Sequence, residues 1–289
     1  MAEELEIKLS LTPGALNQAQ EWLSAQAGVS AGPEKTLVNR YYDTPGGDLN
    51  RQKVALRVRQ AGDEYIQTLK TQGEFVDGAH RRQEWEWPLM GTDLNIGLIA
   101  DTPVGQDVNL ADLSPVFETN FVRRILMLEN AEATIECALD QGSILADGRQ
   151  RDLCELELEL KQGASTALLD WAWSLAATVP VFLNLISKAE QGYALAGLYR
   201  PVPLGDEDSL VNRVLHGLSR AWLSGAVDAA LAQDLESLQR RGSLPATLVS
   251  DLAWLNERLD AGATVADLAA GSTRPGQLQL SLLALPEMG

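Results

Sequence analysis

The run Cys154-Glu155-Leu156-Glu157-Leu158-Glu159-Leu160 alternates acidic and apolar side chains along its whole length. In a β-strand, residues two apart share a face, so the three glutamates point one way and the leucines point the other. Like charges on one strand face repel each other unless a cation lies against them. The run therefore predicts a strand with one apolar face and one acidic face that needs a positive partner.

The same period of two recurs through the first 200 residues, between turns rich in glycine, proline and aspartate. At the N-terminus it places Glu4, Glu6 and Lys8 on one face. The predicted strands are 4–11, 36–43, 53–60, 64–71, 80–89, 119–128, 132–139, 143–147 and 152–161, with a turn over 140–143. Helices are predicted over 13–27, 164–178 and 188–198. These elements indicate an antiparallel sheet with flanking helices.

Beyond Arg200 the sequence changes to leucine and alanine at three- and four-residue spacing, which is typical of helices. Residues 201–206 read as a linker. Helices are predicted over 208–223, 226–240, 245–261 and 264–270, followed by a loosely held tail. We therefore predict two domains, residues 1–200 and a small all-α domain at 206–289.

Acidic and basic side chains lie on different predicted strands. Arg57 and Arg59 share one face of their strand, whereas the run at 155–159 is acidic. One interpretation is an ordinary amphipathic sheet with its charged face in water. The other is a barrel with a charged lumen that encloses a divalent metal and a phosphate chain. Carboxylates suit Mg²⁺ or Mn²⁺, and guanidinium groups bind phosphate oxygens bidentately. Segregation of the two signs favours the second interpretation.

Composition narrows the class of partner. The formal net charge is −17, which disfavours nucleic acid and anionic membranes as partners. Two cysteines and two histidines leave too few ligands for a structural zinc site. The acidic start lacks the features of a signal peptide, so a cytoplasmic location is expected. An anionic substrate would need a local cluster of lysine and arginine.

The order of motifs along residues 1–200 resembles the CYTH superfamily, also called triphosphate tunnel metalloenzymes. The chain is most similar to bacterial inorganic triphosphatases that carry a helical CHAD domain, here shortened. The motifs are Glu4-x-Glu6-x-Lys8, Tyr41-Tyr42-Asp43-Thr44-Pro45, Ala55-Leu56-Arg57-Val58-Arg59, Thr68-Leu69-Lys70, Arg82-x-Glu84, Phe121-Val122-Arg123, Glu136-Cys137-Ala138-Leu139-Asp140, the run at 154–160 and Ser187-Lys188-Ala189-Glu190.

The resemblance implies an α+β fold, a closed eight-stranded antiparallel β-barrel (tunnel) with a charged lumen, followed by a small helical domain. The implied ligands of Mg²⁺ or Mn²⁺ are Glu4, Glu6, Asp140, Glu157 and Glu159. Glu136 and Glu155 are in phase with them and are further candidate metal ligands. Implied phosphate-binding residues are Lys8, Arg57, Arg59, Lys70, Arg82, Arg123 and Lys188. Lys8, Glu4 and Glu6 are the implied catalytic residues, with Lys8 contacting phosphate or positioning the attacking water.

The expected activity is metal-dependent hydrolysis of inorganic triphosphate to pyrophosphate and phosphate. The same tunnel is also compatible with a class IV adenylate cyclase, which makes cyclic AMP from ATP, or with a thiamine triphosphatase. A third class is a non-catalytic polyphosphate-binding module. The helical part is expected to serve packing or formation of a homodimer.

Overall fold

The computed structural model describes residues 2–71, 74–76, 79–104, 108–201, 204–205, 208–242 and 244–285. The side chains of residues 2–4, 74–76 and 79–83 lie outside that description. The predicted linker at 201–206 falls partly outside it as well.

The described residues form one antiparallel sheet. Its strands are β1 (Ala2–Ser10), β2 (Val29–Asp43), β3 (Ala55–Ala61), β4 (Glu64–Lys70), β5 (Glu74–Val76), β6 (Ala79–Leu89), β7 (Ser114–Glu129), β8 (Ala133–Ala146), β9 (Arg149–Gly163) and β10 (Phe182–Leu183). Their order is β10-β1-β9-β8-β7-β2-β3-β4-β6-β5, and β1 also pairs with β6. The pairing of β1 with both β6 and β9 links eight of the strands into a ring.

Helices flank this sheet and follow it. They are α1 (Pro13–Ser24), α2 (Asp48–Arg51), α3 (Gly97–Ala100), α4 (Thr166–Ala176), α5 (Lys188–Leu195), α6 (Leu210–Ser224), α7 (Ala229–Gln239), α8 (Ala246–Asp260), α9 (Val265–Gly271) and α10 (Arg274–Leu283). Among the described residues, no helix has the length and apolar character needed to cross a membrane. The predicted antiparallel sheet with flanking helices is confirmed.

Alternation along β9 separates an apolar outside from a charged inside. Leu156 lies opposite Leu9 of β1 and Leu139 of β8, and all three side chains are fully buried. They pack in one apolar core with the buried faces of α1 and α4. On the other face of β9, Glu157 lies opposite Lys8. This core therefore packs against the outer face of β1, β8 and β9, whereas the charged side chains on the other face of these strands point inward.

Two predictions of local structure were wrong. The predicted turn at 140–143 does not exist, because β8 runs without interruption from Ala133 to Ala146. Gly142 permits close approach of β7, since a Cβ at that position would lie 2.1 Å from the Asn120 carbonyl oxygen. The predicted loose tail is largely the buried helix α10, in which Leu278 and Gln279 are almost fully buried.

The C-terminal helices share a core with the strands. Leu215 and Leu218 of α6 and Leu278 of α10 belong to the same buried cluster as Ile7 and Leu9 of β1. The division into domains at 1–200 and 206–289 stays a prediction, but the apolar core is continuous between these two parts of the chain.

Candidate active site

The inward faces of the strands surround a cavity of about 750 Å³. Strand register explains this, because residues in phase on neighbouring strands lie on the same side of the sheet. Ten of the predicted site residues line the cavity, namely Glu6, Lys8, Arg57, Arg59, Lys70, Arg123, Glu136, Glu157, Glu159 and Lys188. The acids and bases are therefore enclosed together, not spread over an open face.

One wall of the cavity is acidic. Glu159 lies opposite Glu6 of β1 and opposite Glu136 of β8, so three carboxylates form a row across neighbouring strands. Lys161 offsets part of this charge, with its Nζ atom 2.7 Å from Glu159 and 3.9 Å from Glu136. Three adjacent carboxylates on one face repel one another, which favours a further cation at this wall.

A buried lysine occupies the centre of a second acidic cluster. The Nζ atom of Lys188 lies 2.9 Å from Asp140, 2.7 Å from Glu155 and 2.6 Å from Glu157. The Asp140 and Glu155 side chains are almost fully buried, and neither lines the cavity. Burial acts to lower the pKa of Lys188, but the three carboxylates raise it well above its usual value. This lysine is therefore held charged by the protein itself.

Arg123 bridges the same cluster to the cavity. Its Nε and Nη2 atoms donate to the two carboxylate oxygens of Asp140, each at 2.7 Å, and Nη2 also donates to Glu157 at 2.6 Å. Burial acts to raise the pKa of Glu157, but Lys188 and Arg123 lower it well below its usual value. Glu157 is consequently ionised and fully engaged by two cations.

The opposite wall is basic and less well compensated. Arg57 donates to the Tyr41 hydroxyl at 3.4 Å, and Arg59 donates to the Asn39 side-chain oxygen at 2.8 Å. The buried Nε of Arg57 has no hydrogen-bond partner in the described part of the chain. Burial lowers the pKa of Arg59, and the charges of Arg57 and Arg123 lower it further, to about 9. An anion bound between these guanidinium groups would give the Arg57 Nε an acceptor and would oppose the lowering of the Arg59 pKa.

Two lysines complete the basic set. Lys70 pairs with Glu84 on the neighbouring strand at 3.0 Å. Lys8 is buried beside the acidic wall, and its Nζ atom donates to the carbonyl oxygen of Ile186. Burial lowers the pKa of Lys8, although nearby Glu155 opposes that shift. Lys8 therefore sits between the acids and the segment that leads into α5.

The sequence left some site residues unidentified. Tyr41 lies in phase with Asn39 on β2 and lines the cavity, and its period-two position could have revealed it. Asn212, His216 and Arg220 of α6 also line the cavity, at four-residue spacing on one helix face. Only the three-dimensional packing of α6 reveals these residues. The predicted roles of Glu4 and Arg82 concern side chains outside the described part of the structure.

The fit to a divalent metal rests on donor chemistry. In the described residues, no group of three His, Cys, Asp or Glu side chains converges on one point that could hold a metal ion. Glu6, Glu136 and Glu159 nevertheless present carboxylate oxygens to the cavity from one row. Hard oxygen donors of this kind are what Mg²⁺ and Mn²⁺ prefer. The acidic wall offers donors of that type, and the metal roles predicted for Glu6, Glu136, Asp140, Glu155, Glu157 and Glu159 all stay predictions.

Comparisons with known proteins agree with this geometry. The CYTH domain model matches residues 2–193. An inorganic triphosphatase from Haemophilus influenzae is 35% identical over 197 residues, which cover 68% of this chain and 55% of the relative. The chain thus matches about half the length of that curated relative. HpAC1 from Hippeastrum, a proposed adenylyl cyclase with a dominant triphosphatase activity, has a TM-score of 0.50 at 18% identity. That match covers 68% of this chain and 98% of HpAC1, and it shows a shared fold.

Proposed function

Since this chain belongs to the CYTH domain family, whose model spans residues 2–193, we propose that it hydrolyses inorganic triphosphate to pyrophosphate and phosphate inside the barrel. The observation that carries this proposal is the enclosed cavity with a basic wall opposite an acidic wall. The similarity to an inorganic triphosphatase supports the choice of substrate.

We assign substrate binding to the residues of the basic wall. Arg57 and Arg59 alternate with apolar residues on β3, so both guanidinium groups point into the cavity. Burial and the charges of Arg57 and Arg123 lower the pKa of Arg59, and a phosphate chain among the three guanidinium groups would be bound by charge-assisted hydrogen bonds. Lys70 adds a point charge on the neighbouring strand.

We propose that Mg²⁺ or Mn²⁺ binds at the acidic wall, held by Glu6, Glu136 and Glu159, with Glu4 as a further candidate. When bound, such an ion would neutralise negative charge on the triphosphate oxygens. Glu157 is already engaged by Lys188 and Arg123, so we assign it mainly to holding those two cations in place.

The chemical step is an in-line displacement at a terminal phosphorus. The oxygen of a water molecule bonds to that phosphorus, the bridging P–O bond breaks, and pyrophosphate leaves with the bonding electrons. We propose that Lys8 contacts the phosphate or positions the water, and that a carboxylate of the acidic wall accepts the proton of the water. The remaining acceleration comes from fixed charges in an enclosed cavity.

Activity assays distinguish the proposal from its alternatives. We expect phosphate release from tripolyphosphate with Mg²⁺ or Mn²⁺ to exceed release from ATP and thiamine triphosphate, without formation of cyclic AMP. Cyclic AMP as the main product from ATP would select the cyclase instead. Tight tripolyphosphate binding without turnover of any substrate would select a binding module. Homodimer formation and a cytoplasmic location stay predictions.

Replacing Arg57 is expected to weaken substrate binding more than it lowers the turnover rate of the enzyme–substrate complex. Loss of a hydrogen bond to a charged group costs about 1.5–3 kcal/mol, or roughly 10- to 150-fold in Kd. Calorimetric titration of Arg57→Ala with tripolyphosphate measures this change. Arg40→Ala is the matched control, because Arg40 pairs with Glu118 on the exposed face of β2. Equal affinities for the two variants would remove Arg57 from the site.

A further inference from the structure

The extended segment 183–187, which leads into α5, contacts the candidate site at two points. The carbonyl oxygen of Ile186 accepts a hydrogen bond from the Lys8 ammonium group. Two residues later, Lys188 begins α5 and enters the acidic cluster. The position of this segment therefore sets the position of two candidate substrate-binding lysines.

On its barrel side, the segment is attached to β1 through Asn184. The backbone N–H of Asn184 donates to the Lys8 carbonyl oxygen at 3.1 Å. The side-chain Nδ2 of Asn184 donates to the Ser10 hydroxyl oxygen at 2.9 Å. The Asn184 side-chain oxygen accepts from the Ile186 N–H at 2.9 Å, which fixes the turn that presents the Ile186 carbonyl group. Asn184 is fully buried.

On its other side, the segment is held by two polar side chains of the C-terminal helices. Gln279 of α10 accepts from the Leu183 N–H at 2.9 Å and donates to the Leu183 carbonyl oxygen at 2.8 Å. Ser219 of α6 accepts from the Leu185 N–H at 3.1 Å. Both side chains are almost completely buried in an otherwise apolar core.

These bonds replace a neighbouring strand. β10 pairs with β1 at two positions, and on its other edge the Leu183 N–H and carbonyl groups bond to the Gln279 side chain of α10. A buried N–H or C=O group without a partner is costly, so the segment needs side-chain partners here. The side-chain amide of Gln279 pairs with both backbone groups of one residue, as a residue of an adjacent strand would.

We propose that Ser219 and Gln279 are positioning residues of the active site, which act through segment 183–187 on Lys8 and Lys188. The inference deepens the proposed function and rests on it. The C-terminal helices are then part of the catalytic unit, and their side chains set where the substrate-binding lysines lie. Small displacements of such groups reduce turnover without removing any contact to substrate.

The first test compares two glutamines on α10. Gln279→Leu should lower kcat/KM for tripolyphosphate by about 10- to 100-fold. Gln277→Leu is the matched control, because the Gln277 side chain donates to the Ala176 carbonyl oxygen, outside the segment. Circular dichroism measures the unfolding temperature of each variant, and kcat/KM is measured well below that temperature. Equal kcat/KM for the two variants would overturn the inference.

Ser219 provides a milder variant in case Gln279→Leu does not fold. Ser219→Ala should lower kcat/KM by about 10-fold, and Ser219→Thr, which keeps the hydroxyl group, should restore most of it. Ser281→Ala is the control, since Ser219 and Ser281 both donate to a carbonyl oxygen four residues earlier in their helices. A loss in Ser281→Ala as large as in Ser219→Ala would contradict the proposed role.

A double-mutant cycle tests whether Gln279 acts through Lys8. Tripolyphosphate affinity is measured for Gln279→Leu, Lys8→Met and the double variant. If Gln279 acts through Lys8, its replacement should change affinity less than half as much, on a logarithmic scale, in the Lys8→Met background. Additive effects would contradict the proposed action of Gln279 through Lys8. A wild-type protein that neither binds nor hydrolyses tripolyphosphate would contradict the proposed function instead.

Discussion

Replacing Lys188 by methionine is expected to lower the free energy of unfolding by about 3–5 kcal/mol, the usual cost of leaving buried charge unpaired. The Lys188 ammonium group lies within 3 Å of Asp140, Glu155 and Glu157. Arg123 continues to compensate Asp140 and Glu157, whereas the hydrogen bond described for Glu155 comes from the neutral amide of Gln191, at 2.6 Å, with Lys8 as a nearby charge. Urea denaturation measures the loss.

Lys161→Met is the matched control for stability. Lys161 also pairs with glutamate, at 2.7 Å from Glu159, but its side chain is 38% exposed. Exposed pairs contribute about 0–1 kcal/mol, so this variant should stay within that range of the wild type. Similar losses in Lys188→Met and Lys161→Met would show that the buried cluster is not held together by Lys188.

The pH dependence of the unfolding free energy tests whether ionised Glu157 stabilises the fold through Lys188. In the wild type, the pKa of Glu157 is depressed by Lys188 and Arg123 despite the opposing effect of burial. Its ionisation therefore stabilises the fold above the pKa of an unfolded glutamate, about 4.3, and this contribution is lost as pH falls through the lower folded pKa. Removal of Lys188 weakens that contribution. The stability difference between wild type and Lys188→Met should therefore narrow below about pH 4.

The largest effect on turnover is expected for Glu6→Gln. This change keeps the shape of the side chain and removes one carboxylate from the row with Glu159 and Glu136. If that row holds the metal, the loss should be several kcal/mol of transition-state stabilisation, or at least about 100-fold in kcat/KM. Titration with Mg²⁺ should show weaker binding in the variant even without substrate.

Glu118→Gln is the control for this experiment, because Glu118 pairs with Arg40 on the outside of the barrel. Its kcat/KM and Mg²⁺ affinity should match those of the wild type. Near-normal rates and Mg²⁺ binding in Glu6→Gln, with the fold retained, would refute the assignment of the metal to the acidic wall.

Period-two alternation in the sequence predicted the cavity-facing side of β1 and β3, where Glu6, Lys8 and Arg57 line the cavity. The reason is that one apolar face of a strand must be buried, which fixes the phase of every other side chain on it. Arg57, Glu157 and Lys188 therefore lie at the cavity, as their phase or their motif indicated. Single strands carry no information on their register with distant strands. The pairing of Lys188 with Asp140, Glu155 and Glu157 could not be derived from the sequence.

Two glycines explain the main errors in local structure. Gly142 was interpreted as part of a turn, whereas it allows the backbones of β7 and β8 to approach. Gly276, together with Pro275, made the final segment look irregular. Proline is tolerated in the first turn of a helix, and Gly276 lies against the Val181 carbonyl oxygen, where a Cβ would come within 2.4 Å. Close backbone contacts and turns use the same residue type, so composition alone does not separate them.

The central position of β1 has a consequence for folding during synthesis. β1 emerges from the ribosome well before its partners β6, β9 and β10, the last of which is formed by Phe182–Leu183. Until then the nascent chain carries an unsatisfied strand edge, which is prone to associate with other chains. Contacts so distant along the chain also slow folding. Cells that make this protein should therefore benefit from chaperones that shield the growing chain until its first and last strands meet.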